Sequence, residues 1–318
     1  MARARTAHGR LAEHPREFPR PAWGDIFHRV RKNIAKDNLS LVAAGAAFYG
    51  LLSVFPALAA LVAIYGLFTD PAAVAQQMES LAEIVPEQAR TVIEGQLQRV
   101  ASSGSTALGI GAVVSLLLAL WSASKGVKSM MTALNIVYDE EEKRGFLKLN
   151  AVALLLTLVT LAFVLIALIA IAVVPAVIGL LGLPLIAEIL ARWLRWPLLA
   201  AAAVGILAVL YRYAPSREHA EWRWVVWGAT VAALLWLVGS GLFSLYVSNF
   251  GSYNETFGSV AAIVVLMMWF YFSAYFVLLG GELNAEMEHQ TERDTTTGPD
   301  EPPGSRGAYV ADTLGDPR

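Results

Sequence analysis

From Leu41 to Phe68 the chain runs 28 positions without an acidic or basic side chain. At ~1.5 Å per helical residue, that is longer than the ~30 Å hydrocarbon layer requires. Comparable apolar runs follow at 107–123, 151–175, 197–213 and 225–247, and a last one begins at Asn254–Ser259 and ends near Gly280–Gly281. The pattern predicts an all-α polytopic bundle of six transmembrane helices. Pro56 sits near the middle of the first run. Its ring removes a backbone donor and frees the Leu52 carbonyl, which Ser53, a neighbouring helix or water would have to satisfy. Two readings stay open, a tolerated kink or the lining of a cavity or moving part. Gly45, Ala46 and Gly50 give the same helix a smooth flank for close packing.

Between the spans the pattern turns amphipathic. Trp23, Ile26, Phe27, Val30 and Ile34 share one helical face, while Arg29, Arg31, Lys32 and Lys36 occupy the rest. Such a helix is expected to lie on a membrane surface with anionic lipid headgroups as partners. Nucleic acid is the other polyanion that basic charge suits, but so regular an apolar face argues against a solvated arm. Residues 71–101 carry Val74, Met78, Leu81 and Val85, then Val92, Ile93, Leu97 and Val100, at helical steps. They read as amphipathic helices outside the bundle. After Trp121, Lys125 and Lys128 open an interfacial elbow expected to end near Asn135. Residues 186–193 read as a short interfacial piece anchored by Trp193 and Trp196. The chain thus divides into a basic tail with its amphipathic helix (1–38), a membrane domain (39–288) and a polar tail (289–318). By composition the first 21 residues and the last tail are expected to be disordered.

With 56% hydrophobic and 16% charged residues, the chain is too apolar for an ordinary soluble domain. The net charge of −2 says nothing about partners, but its distribution does. With six spans, one side holds 20 of the 24 Lys and Arg, and the other holds only Arg90, Arg99, Arg192 and Arg195. Basic loops stay inside, so both termini are expected in the cytoplasm. There is no cysteine, which rules out disulfides and thiolate metal sites.

The sequence holds no catalytic constellation. His8, His14, His28, His219 and His289 lie in tails and polar loops without ligand spacing, and no Gly-rich phosphate loop opens a helix. No metal, cofactor or enzymatic role is expected. What remains is a set of polar groups and breaks at span ends: Ser53, Pro56, Lys125, Lys128, Asn135, Arg212, Glu255 and Glu282. They are candidates for the lining or gate of one cavity, although Glu255 also suits the first turn of a helix.

Several stretches resemble a known family. They are Ala43–Tyr49 with Leu52–Pro56, Leu120–Gly126 with Ala133–Asn135, Tyr213–Pro215, Trp227–Ala229, and Tyr253–Asn284 ending in Leu279-Gly280-Gly281-Glu282-Leu283-Asn284. The chain resembles the YihY family of bacterial inner-membrane proteins over about residues 25–288. That family is also called the virulence-factor BrkB family and is labelled ribonuclease BN in older catalogues. Gly281 departs from it where alanine is more usual. The resemblance implies six spans in the inner membrane and a connection with serum resistance and envelope transport. The nuclease label fits poorly with the absence of a carboxylate or histidine cluster. The leading expectation is a transporter-like protein handling a lipid or other amphipathic envelope solute. The alternative is a scaffold that docks an envelope protein through residues 72–100.

Overall fold

A computed structural model describes residues 8–66, 108–168, 185–248 and 251–317. The amphipathic segment 71–101 lies outside them. All the regular structure described is helical apart from one isolated bridge, Ala220 with Thr296. In order the helices are α1 (Arg20–Lys36), α2 (Leu39–Gly66), α3 (Leu108–Val137), α4 (Phe146–Leu168), α5 (Leu185–Tyr213), α6 (Trp222–Ser248), α7 (Gly251–Glu288) and α8 (Tyr309–Asp312). A short 3-10 turn, Pro15–Glu17, precedes α1. Five described stretches are long and apolar enough to cross a membrane: Leu39–Leu61, Phe146–Ala167, Trp196–Tyr213, Trp222–Val247 and Ile263–Glu288.

Packing runs around the bundle: α2 on α3, α3 on α4, α4 on α5, α5 on α6, α6 on α7, and α7 back on α2. Small residues make the close approaches. Gly126 of α3 faces Gly50 and Ser53 of α2, and Gly228 of α6 faces the Gly280 backbone of α7. In lipid, where helices gain nothing from hiding apolar surface from water, such contacts carry the association. Leu117, Leu118, Leu155, Ile166, Leu237 and Leu242 stay on the outside, as a hydrocarbon surround requires.

Several expected breaks are absent. Pro56 lies inside α2, which continues to Gly66, and Ser53 Oγ donates to the Tyr49 carbonyl at 2.7 Å rather than to that of Leu52. The interfacial piece around 186–193 is continuous with the span after it, because α5 runs straight through Pro197. Nor is there a separate elbow after Trp121, since α3 continues unbroken to Val137. Helix α7 passes Gly280–Gly281 and reaches Glu288. Those glycines serve packing: a Cβ at Gly280 would meet the Tyr211 hydroxyl at 2.5 Å and the Gly228 carbonyl at 2.6 Å.

Both polar tails depart from the disorder that composition suggests. Residues 8–19 and 289–317 fold onto α1, α7 and the loop before α6. Arg306 organises the C-terminal stretch by donating to the carbonyls of Glu292, Arg293, Glu301 and Ala311 at 2.7–3.2 Å. Thr295 O accepts from Glu221 N, and Thr297 N donates to His219 O. The segment is held by satisfied backbone groups and by a few small apolar side chains, Val310 and Ala311 among them, so composition alone could not reveal it.

Candidate functional site

Helices α2 and α3 part along one side to leave an open groove of about 450 Å³. Val42, Gly45 and Tyr49 form one wall, and Lys125, Lys128 and Thr132 line the other. Gly45 leaves the groove wide, because a Cβ there would meet nothing within 4 Å. Lys128 is fixed. Its ammonium donates to Asn150 Oδ1 and lies 4.7 Å from the centre of the Trp121 ring. Asn150 is held in turn by donating to the Phe146 carbonyl at 2.7 Å. Lys125, one turn earlier, is exposed. No carboxylate is among the residues that line the groove. Two cations therefore stand beside apolar walls without a counter-charge in the groove, an arrangement that attracts an anion carrying an apolar body.

A second polar region lies at the end of the bundle where both tails pack. Arg217 and Glu288 are almost wholly buried and meet at 2.5 Å, with Thr295 Oγ1 donating to the same carboxylate at 2.7 Å. Arg29 donates to the Glu286 carboxylate, to its backbone oxygen at 3.1 Å and to Gln290 Oε1 at 2.6 Å. Asn284 clamps α7 to α6 by accepting from Gly228 N at 2.7 Å and donating to Val225 O at 3.1 Å. Glu282 is the exception: it is fully buried, and neither carboxyl oxygen finds an N–H or O–H donor among the described residues. The group within hydrogen-bonding reach is the carboxyl of Asp37. Burial pushes Asp37 above the ordinary carboxylate range, while Lys36 pulls it the other way.

The eight cavity candidates are dispersed. Lys125 and Lys128 line the groove. Ser53 lies behind it, pressed against Gly126. Asn135 is a clamp, accepting from Ser216 N at 2.7 Å and donating to Glu142 at 3.1 Å. Arg144 completes that clamp and, chiefly through its hydrogen bond, holds the Glu142 carboxyl down to about 2. Arg212 stacks over Trp222 at 4.7 Å and donates to the Ala220 carbonyl. Pro56 lies within α2 and Glu255 within the first turns of α7; the Glu255 side chain is outside the described residues.

The surface candidates divide as well. Phe27, Arg31 and Lys32 are exposed, but Arg29 is buried and spends its charge on Glu286. Trp23 packs edge-on against Phe18. Ile26 and Val30 bury against Trp224, Leu283 and Met287, so the apolar face of α1 covers protein rather than lipid. Arg217, Glu288, Asp37 and Tyr49 escaped the sequence reading. Tyr49 stands in the motif beside Pro56, but no spacing signal pairs Arg217 with a glutamate 71 residues away.

Residues 30–304 match the virulence factor BrkB family. The chain belongs to that family. The ribonuclease-like protein YfkH of Bacillus subtilis is 31% identical over 249 residues, 75% of this chain and 86% of the relative. The UPF0761 membrane protein PBPRA3489 of Photobacterium profundum is 26% identical over 275 residues, 85% and 82% of the two chains. A UPF0761 membrane protein of Tolumonas auensis reaches 38% identity, but over only 85 residues, 27% of this chain and 28% of the relative. No solved structure matches. This BrkB-family chain is accordingly a membrane protein with several spans, and the expected resemblance holds. Among its described residues no three His, Asp or Glu side chains are grouped to hold a metal ion.

Proposed function

We propose that this protein crosses the bacterial inner membrane six times, keeps both termini in the cytoplasm, and handles an amphipathic anion, a lipid above all, in the groove between α2 and α3. The observation that carries this reading is the pairing of Lys125 and Lys128 with apolar walls and no carboxylate in one open groove. A lipid phosphate between the two ammonium groups would leave its acyl chains along Tyr49, Leu52 and Phe55 on the exposed side of α2. Helix α3 supplies the sixth span: its apolar stretch 108–124 reaches about 26 Å, and Lys125 and Lys128 follow at its end, where they extend to the headgroups. The basic-residue bias of 20 to 4 supports the orientation.

The test is native mass spectrometry of the full chain released from mixed anionic and zwitterionic lipid. Each lysine near an anionic headgroup is worth about 1 kcal/mol, so removing both lowers anionic-lipid retention by roughly thirtyfold. Wild-type protein should retain anionic lipid preferentially, and the double variant Lys125→Ala/Lys128→Ala should lose that preference. Equal retention by both proteins would refute the groove as the site. A partner protein retained in place of lipid would favour the scaffold reading. RNA cleavage by the purified chain, lost on a point substitution, would bring the relative's ribonuclease-like name to bear on this protein.

A further inference from the structure

We infer that Asp37 and Glu282 form a buried carboxyl pair that binds one exchangeable proton, a protonation site separate from the lysine groove. The local chain path creates it. Helix α1 stops at Lys36, and Asn38 takes a left-handed conformation at φ 49°, which an asparagine tolerates and which turns the chain directly into α2. The Asp37 carboxyl is carried inward at that corner; its side chain is only 7% exposed. On α7, Glu282 has no exposed surface and lies within hydrogen-bonding reach of the Asp37 carboxyl.

On α1, Arg29 is spent on Glu286, and Asn33 donates to the other Glu286 oxygen at 2.8 Å. Lys36 is bound by both oxygens of Asp139 at 2.9 Å and stands 3.8 Å from Asp37. The end of α3 adds Tyr138 and Asp139, α7 adds Glu286, and His289 lies 3.8 Å beyond Glu286. Four carboxyls, those of Asp37, Asp139, Glu282 and Glu286, thus face two cations that are each already engaged. An isolated buried carboxylate costs several kcal/mol, and two facing carboxylates repel. A shared proton removes both penalties, since one carboxyl becomes the donor that Glu282 otherwise lacks. Uptake forms one O–H bond and a carboxyl–carboxylate hydrogen bond; release returns the proton to solvent and leaves two facing anions. The raised position of Asp37 agrees with this geometry.

The sign of the pH dependence follows. The folded pair holds a proton that the unfolded chain has already lost above the ordinary carboxylate range. The pair's contribution to stability is therefore complete below the ordinary carboxylate range and falls as pH rises toward the titration of the folded pair. The full chain in lipid nanodiscs is to be titrated by infrared difference spectroscopy alongside thermal unfolding. Wild type should show a protonated-carboxyl band that disappears on raising the pH, with a parallel fall in Tm. Glu282→Gln, whose amide can donate to Asp37 as the shared proton does, should abolish the band and flatten that fall. Asp37→Asn should abolish or shift the same band, and it decides the matter alone if Glu282→Gln does not fold. A band and a Tm profile unchanged by either variant, or no protonated band in wild type, would overturn the site.

Discussion

The middle of the spans and the tail-bearing end of the bundle are held together by different physics. Along the spans, polar side chains are satisfied within their own helix or by the helix beside it, as where Trp236 Nε1 donates to Ser273 Oγ at 3.0 Å and the Tyr211 hydroxyl to the Val277 carbonyl at 2.6 Å. Ser124, Thr157 and Thr160 each donate to a carbonyl three or four residues back, and helices meet through glycine and apolar side chains. At the tail-bearing end the contacts are long-range and ionic: Arg29 reaches Glu286 and Arg217 reaches Glu288. Lipid offers no hydrogen bonds, so a span must settle its polar groups on itself or on the helix packed against it. A water-facing end can afford distant partners and uses them to fix the tails.

The largest way to break that contrast is to remove one member of a buried ion pair. Arg217→Ala leaves the Glu288 carboxylate without its guanidinium, which costs about 3–5 kcal/mol. Thermal unfolding in detergent should show a strongly lowered Tm, and limited proteolysis should cut within residues 289–317, which wild type protects. A smaller effect is expected where the contact is steric. At Gly228 an added Cβ collides with the Gly280 carbonyl and stands 2.5 Å from Asn284 Oδ1. Gly228→Ala should cost about 1–3 kcal/mol, the range for overpacking, and lower Tm while the tail stays protected. If both variants exposed the tail equally, the end would not be an ionic assembly distinct from the helix contacts.

Much of this was legible in advance because hydropathy is a local signal. The run from Leu41 announces α2, and the spans at 197–213 and 225–247 nearly coincide with the crossing stretches of α5 and α6. What was not legible depends on partners far away in the chain. Arg29 reads as a surface cation until α7 brings Glu286 to it, and the 289–317 tail reads as disordered until Arg306 gathers its carbonyls. Pro197 and Gly280–Gly281 look like breaks, yet α5 and α7 continue through them, and at the glycines a pattern of residues cannot show the close packing on α5 and α6. In the candidate site, Lys125 and Lys128 were visible as charges beside a span. Tyr49 on the facing wall was not, since it takes two helices to make a groove.

Occupancy of that groove is the central claim, and photocrosslinking tests it most directly. A photoreactive phenylalanine analogue replaces Tyr49 in one protein and the lipid-facing Leu155, 61% exposed on α4, in another. After illumination in mixed-lipid membranes, the adducts are identified by mass spectrometry. The account predicts that adducts at position 49 are enriched in anionic amphipaths relative to position 155, and that Lys125→Ala/Lys128→Ala removes the enrichment. Identical lipid adducts at both positions, unaffected by the lysines, would contradict it.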